Sequence, residues 1–287
     1  MKRAIVIGAS SGIGREVAKL LLQQGWTLGV AARRVELLDS ICGEVDMKGN
    51  IGDGVDKPDY IGDGVVVEQI DVTAADATEK LRSLIERLGG MDLFFYASGI
   101  GKQNRELQED IELRTMETNA LGFTRMIGEA YRYFSERSKR QKAERGEGGQ
   151  TGDGDSYVGH IAAITSIAGT KGLGPAPSYS ATKAMQNVYL QALEQQANAR
   201  GLKIRFTDIR PGFVDTALLS GDFHYPMMLR PERVAREIVS AINRHQHIRV
   251  IDWRYRLLTA LWRRIPRFIW RHIKLKHGTD SEHTQPD

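Results

Sequence analysis

Ala4-Ile-Val-Ile7-Gly8-Ala-Ser-Ser-Gly12-Ile-Gly14, with Val17, Leu20, Leu21 and Leu22 behind it at helical spacing, is the stretch on which the fold turns. The short apolar run reads as a buried strand, and the 3.6-residue pattern as an amphipathic helix closed by Gly25. Between them, Gly8, Gly12 and Gly14 permit a tight turn and a close backbone approach to a pyrophosphate. Ser10, Ser11 and Ile13 complete the loop, whose charge-bearing ligand would sit at the helix N-terminus. A three-glycine cluster is weak evidence alone; its place between strand and helix is what gives it weight.

Downstream, apolar runs at 27–32, 65–71, 91–97, 159–165 and 203–209 alternate with helical patterns, and 248–251 is a candidate seventh strand. That alternation predicts a doubly wound parallel α/β sheet. The expected organisation is one domain over residues 1–251 with insertions near 46–64 and 138–156. A basic aromatic helical extension follows over 252–277, then a disordered end over 278–287. The first insertion contains Ile51-Gly-Asp-Gly-Val55 repeated as Ile61-Gly-Asp-Gly-Val65. Two copies make a turn-rich excursion, not a solenoid. The second, Ser138 to Ser156, is almost wholly polar and reads as a surface excursion from a helix end.

At 287 residues, 41% apolar and 26% charged, the chain has a globular profile. The single cysteine, Cys42, excludes an intramolecular disulfide framework and a cysteine-rich metal site; no metal is expected, and a reducing, cytoplasmic compartment is. The initial apolar run is too short for a signal sequence.

At the end of the second strand stand Arg33 and Arg34, where an acid would select NAD(H) through the ribose 2′-hydroxyl. Two guanidiniums favour a 2′-phosphate, hence NADP(H) over NAD(H). Tyr179 and Lys183 share a helix face, so a cation beside the phenol is expected to lower its pKa toward proton transfer. Ser166 follows the strand at 159–165, at the sheet edge where ligands bind in open α/β folds.

Gly8-x-x-x-Gly12-x-Gly14, Asn119, Ser166, Tyr179-x-x-x-Lys183 and Pro211-Gly-x-Val214-x-Thr216 together resemble, in order and spacing, the short-chain dehydrogenase/reductase family. The resemblance implies Tyr179 as general acid or base, Lys183 as its pKa partner and ribose ligand, and Ser166 as holder of the substrate oxygen. It implies Asn119 as the positioner of a water linking Lys183 to solvent. Asp71 and Val72 would meet the adenine, Ala97, Ser98 and Gly99 would line the cofactor, and Pro211, Val214 and Thr216 the nicotinamide. A homo-oligomer is also implied. Two departures stand out: Ile7 replaces the usual threonine, and Tyr96-Ala-Ser-Gly99 the usual Asn-Asn-Ala-Gly. Their joint change suggests an apolar brace. The function expected is NADP(H)-dependent reduction of a carbonyl or oxidation of an alcohol. A catalytically silent cofactor-binding scaffold and an epimerase or dehydratase on the same fold are the alternatives. A presumed lid over 217–230, with Leu218, Phe223, Tyr225 and Met228, favours an apolar small-molecule substrate.

The C-terminal extension is unlike the rest. Between Arg244 and Lys276 there are ten Lys/Arg and one acid, Asp252, a local charge of +9 that leaves −5 for the remainder. Three of the four tryptophans (Trp253, Trp262 and Trp270) lie there. Leu257, Leu258, Leu261, Trp262 and Ile265 are expected to form one apolar stripe, broken at Pro266. Three readings stand: an in-plane helix on the inner face of an anionic membrane, a subunit contact or cover over the substrate crevice, and, least favoured, nucleic-acid binding.

Overall fold

The computed structural model describes residues 2–38, 41, 64–145, 157–216 and 227–275. Residues 46–63 of the expected excursion, most of the polar insertion, residues 217–226 of the expected lid and the end at 278–287 lie outside the described residues. Residues 138–145, expected to open the polar excursion, instead continue a helix in which Ser138 is buried.

Seven strands form one sheet: β1 (Arg3–Ile7), β2 (Thr27–Ala32), β3 (Val65–Gln69), β4 (Leu93–Tyr96), β5 (Gly159–Ile164), β6 (Ile204–Arg210) and β7 (Ile248–Val250). All neighbours are parallel, in the order β3-β2-β1-β4-β5-β6-β7. The order reverses between β1 and β4, which opens a crevice at the carboxyl edge there. β2 matches its apolar run, β1 starts one residue earlier and β6 lies one residue later, while β3, β5 and β7 stop one or two residues short and β4 loses two residues at its start and one at its end.

Alternation along the strands divides the core. Ala4, Val6, Leu93 and Phe95 face α1 (Gly12–Gln23) and α6 (Pro231–Asn243). Ile5, Ile7, Phe94 and Tyr96 face the other layer, with α2 (Ala77–Arg87), α4 (Phe123–Arg145) and α5 (Pro177–Ala199). The remaining long helix, α3 (Glu109–Met116), runs through a π-turn at Glu117–Gly122 into α4. Strands buried on both faces need apolar residues at every position, which is why they read as runs and not as alternations. Each fully buried large side chain contributes about 1.5–3 kcal/mol.

Two helices close the described chain: α7 (Trp253–Arg264) and α8 (Arg267–Trp270). The single stripe expected of α7 is divided. Tyr255 and Thr259 are the residues that point inward, and Leu258, Trp262 and Ile265 are half-buried, while Leu257 and Leu261 face solvent. The cause is Tyr255, which enters the core cluster and so sets the rotation of the helix. Asp252, the one acid of the basic stretch, caps α7 through Arg254 N at 2.9 Å and pairs with Arg233 at 3.1 Å. Its bonds to Arg254 hold its carboxyl below the usual range.

Candidate functional site

β1, β4, β5 and β6 end side by side, and each strand end releases one part of the site. Gly8 leaves β1 with φ +88°, and its N–H donates to the Ala31 carbonyl of β2 at 2.8 Å. A Cβ on Gly14 would lie 2.1 Å from the Gly8 carbonyl oxygen, and one on Gly8 2.7 Å from Ser98 N. Only glycine fits either place. The loop therefore lies flat on Ala97 and Ser98, the first residues after β4. Ser11 precedes α1 without a side-chain cap bond, and the first turn of α1 holds no acid. These are the attributes of an anion-binding helix end. Ile13 packs on the core beneath the loop, and Ser10 and Ser11 lie along its rim.

Arg33 and Arg34, just past β2, are both exposed, and neither belongs to an ion pair among the described residues. Gln69 Nε2 donates to the Arg33 carbonyl at 2.9 Å, tying this end to β3. Asp71 accepts from Thr73 N at 2.9 Å and Thr73 Oγ1 at 2.7 Å. Burial raises its pKa, but those bonds and the charges of Arg33 and Arg114 outweigh it, leaving the carboxylate below its usual range. Val72 is buried against Gly122. Thr216, at the end of the 211–216 segment, stands over Gly12, with its Cγ2 3.1 Å from where a Cβ would be. Pro211 and Val214 are buried in the same segment. One groove thus joins the glycine loop, the two arginines, the 97–99 strand end and the 211–216 segment. Its lining leaves room where side chains would block it and has two exposed arginines at one end, which fits a dinucleotide.

Ser166, Tyr179, Lys183 and Asn119 converge on the next part of that edge. Ser166 stands two residues past β5 and caps a 3₁₀ turn at Ile167–Thr170 by accepting from Ala168 N at 3.0 Å. Pro177 opens α5, and Glu112 of α3 supplies the missing cap by accepting from Ser178 N at 3.0 Å, which fixes the turn that carries Tyr179. The Lys183 ammonium lies 5.8 Å from the Tyr179 ring centroid.

The tuning of Tyr179 differs from the sequence expectation. Burial pushes the phenol up from its ordinary value, and a hydrogen bond with Ser166 pulls it part of the way back. The Lys183 ammonium is held beside the ring by its own bonds, its Nζ donating to Ile164 O at 3.3 Å and to Gln186 Oε1 at 3.0 Å. Burial brings Lys183 down to about 8, against the opposing effect of the Asp208 charge.

Asn119, in the π-turn, is fully buried. It grips the segment after β4, accepting from Ile100 N at 2.9 Å and donating to Ile100 O at 2.7 Å. Its backbone carbonyl accepts from Gln186 Nε2 at 2.7 Å. The Gln186 amide thereby joins the Asn119 carbonyl to the Lys183 ammonium. Sequence reading missed that residue. Its signal is its position, three after Lys183 and seven after Tyr179, on the same helix face. Ile7 and Tyr96, the two departures, pair in register and are both buried, with Tyr96 edge-on to Phe123 at 5.2 Å. Among the described residues no cluster of His, Cys, Asp or Glu could hold a metal.

Chemically, a phenol beside a serine hydroxyl, with a buried ammonium behind it and a phosphate-compatible groove alongside, can pass a proton to an oxygen placed between Ser166 and Tyr179. A further enclosure comes from the tail: Lys171 Nζ donates to Ile265 O at 2.9 Å and Trp270 Nε1 to Gly172 O at 2.8 Å. Both contacts hold the chain between Ser166 and Tyr179.

Comparison with known proteins gives the same direction. The family described as short chain dehydrogenase matches residues 2–144 and 152–224. An uncharacterized oxidoreductase of Myxococcus xanthus is 27% identical over 271 residues, 92% of this chain and 93% of that protein. A short-chain dehydrogenase from Sphingobium yanoikuyae, solved with NADPH, superposes with a TM-score of 0.70 at 16% identity over 98% of this chain and 99% of its own. A 3-ketoacyl-(acyl-carrier-protein) reductase from Brucella melitensis, solved with NADH, does so at 0.68 and 19% identity over 88% of this chain and 96% of its own.

Proposed function

The chain belongs to the short-chain dehydrogenase family, and from that premise we propose that it is an oxidoreductase acting with NADP(H) on an apolar carbonyl or alcohol. The observation that carries the reading is the convergence of Ser166, Tyr179 and Lys183 beside the glycine loop. The residues that would hold the cofactor are those of the Gly8–Gly14 loop with Ser10, Ser11, Gly12 and Ile13, then Arg33, Arg34, Asp71 and Val72. Ala97, Ser98, Gly99, Pro211, Val214 and Thr216 would complete the groove. The nicotinamide supplies or accepts the hydride when bound. This chain's own part is to orient and to move one proton. Ser166 holds the substrate oxygen and Tyr179 gives it a proton during reduction. A phenol kept neutral by burial is the acid form that reduction consumes, so its raised pKa suits that direction. The test is consumption of NADPH and of NADH across a panel of apolar ketones and aldehydes. NADPH-dependent turnover is expected; a chain that binds NADPH and oxidises neither cofactor across the panel is a scaffold.

The 2′-phosphate preference rests on Arg33 and Arg34. The double change Arg33→Ser, Arg34→Ser removes two charge-assisted bonds and is expected to weaken NADPH binding about 10–100-fold. NADH binding should hardly move. Cofactor fluorescence titration reads both, and equal losses would assign the arginines to general surface charge.

Gln186 is a positioning residue in this scheme, acting through Lys183. With the Lys183 ammonium at about 8, turnover should fall as the pH rises through that region and the charge is lost. Gln186→Leu removes an acceptor from the ammonium, lowers its pKa further and should move the alkaline limb to lower pH. Gln186→Glu adds a negative partner and should move it the other way. Parallel loss of rate in both variants with unmoved limbs would reduce Gln186 to a packing role.

A further inference from the structure

The outer face of α7 is built for an anionic partner with an apolar interior, and we infer that it docks the protein on an anionic lipid surface. Trp253, Leu257 and Leu261 lie at i, i+4 and i+8, on the side of the helix opposite Tyr255 and Thr259. Trp253 is 65% exposed and Leu257 56% exposed. Past Pro266, Phe268 and Ile269 add a second exposed apolar pair. Six arginines, one lysine and no acid occur between Trp253 and Leu275. Arg256 and Arg263, both exposed, flank the apolar stripe on one side, while Arg254 on the other is paired with Asp252 at 3.0 Å; exposed cations beside an apolar stripe suit a helix lying in a headgroup plane.

Charge decides between occupants. A two-fold contact with a second copy would bring this basic stretch against itself, with no acid in it to offset the repulsion. Nucleic acid would satisfy the arginines and leave Leu257 and Leu261 with nothing apolar to bury them. An anionic bilayer meets both needs: phosphate headgroups for the guanidiniums and acyl chains for the stripe. No helix among the described residues is long and apolar enough to cross a membrane, so the contact is one of lying on the surface. The helix is already formed and held to the body by Tyr255 and, through Ile265, by Lys171. Docking therefore carries no folding cost, and it would set the Ser166–Tyr179 edge of the crevice close to the lipid. The inference rests on this surface and stands or falls apart from the oxidoreductase reading.

The test is co-sedimentation of the full chain with vesicles of phosphatidylcholine alone and of phosphatidylcholine with phosphatidylglycerol. Recovery with the anionic vesicles, reduced by added salt, is expected. The double variant Leu257→Glu, Leu261→Glu changes only exposed positions and should lose about tenfold in partitioning per leucine. Its NADPH titration and melting curve report whether it remains folded. Equal recovery from both vesicle types, or an unaltered double variant, would overturn the inference. So would a concentration-dependent dimer that the double variant abolishes, which gives the face to a second copy. Retention on duplex DNA that ignores the leucine changes, without vesicle binding, would give it to nucleic acid.

Discussion

Tyr179→Phe is expected to lower turnover about 10²–10⁴-fold while NADPH binding and the melting temperature stay near those of the unaltered chain. The change removes one oxygen from a side chain whose ring stays in place. Its helix turn is fixed elsewhere, by Glu112 at the Ser178 N–H and by Thr182 Oγ1, which donates to the Tyr179 carbonyl at 2.9 Å. Lys183 keeps both its carbonyl acceptors, so the buried ammonium is not orphaned by the loss of the phenol. Ser166 keeps its bond to Ala168 N. What disappears is the phenolic O–H beside Ser166, the proton donor of the proposed step. Single-turnover oxidation of NADPH measures the loss, and fluorescence titration the binding. Turnover at the original rate would remove Tyr179 from the chemistry and leave the proton to another group.

How much of this was legible in the sequence depends on the distance over which each feature is decided. The glycine loop, the seven strands and the Tyr179-Lys183 pair are local patterns, and they stand where spacing put them, to within two residues at strand ends. The tuning of Tyr179 was not legible. A phenol and an ammonium four residues apart predict a lowered pKa only if they face each other through little else. Here burial is the largest influence on the phenol and raises its pKa, and burial is decided by the packing of distant elements and not by spacing along one helix. Gln186 itself is one helical turn from a residue already singled out, yet its meaning depends on the Asn119 carbonyl, 67 positions away in the chain. Asn119 enters the sequence reading only through the family resemblance; its grip on Ile100 is a matter of tertiary placement.

The C-terminal extension was misjudged for a related reason. Its apolar residues suggest a stripe by count, and the leucines and tryptophans outweigh a single tyrosine. Burial follows a different residue, because the backbone near Gly212 approaches too closely to leave room for anything but a flat ring against it. A Cβ on Gly212 would lie 2.2 Å from the Tyr255 ring. Glycine and tyrosine are thus a fitted pair whose two halves sit in separate parts of the sequence.

Tyr255→Ala is accordingly expected to destabilise the protein by about 3–5 kcal/mol, the range for emptying a fully buried aromatic site. In a chain of this size that lowers the melting temperature by roughly 10 °C. The phenol stands at a junction: its O–H donates to Met227 O at 3.1 Å and accepts from Phe213 N at 3.2 Å. It thereby links α7, the segment before α6 and the stretch 211–216 that faces the cofactor groove. Tyr255→Phe keeps the ring and removes both bonds, so it should cost about 1–3 kcal/mol and loosen 211–216, weakening NADPH binding without touching Arg33 or Arg34. The two variants separate packing from positioning: the alanine change acts first on the melting curve, the phenylalanine change first on cofactor titration. If α7 were a removable appendage, both would be silent, and calorimetry on the full chain would show melting temperatures within error of the original. A fully buried tyrosine that holds the 211–216 stretch and Met227 by two hydrogen bonds makes that outcome incompatible with the packing described, and places the first turn of the extension in the core cluster shared with β1, α1 and α6.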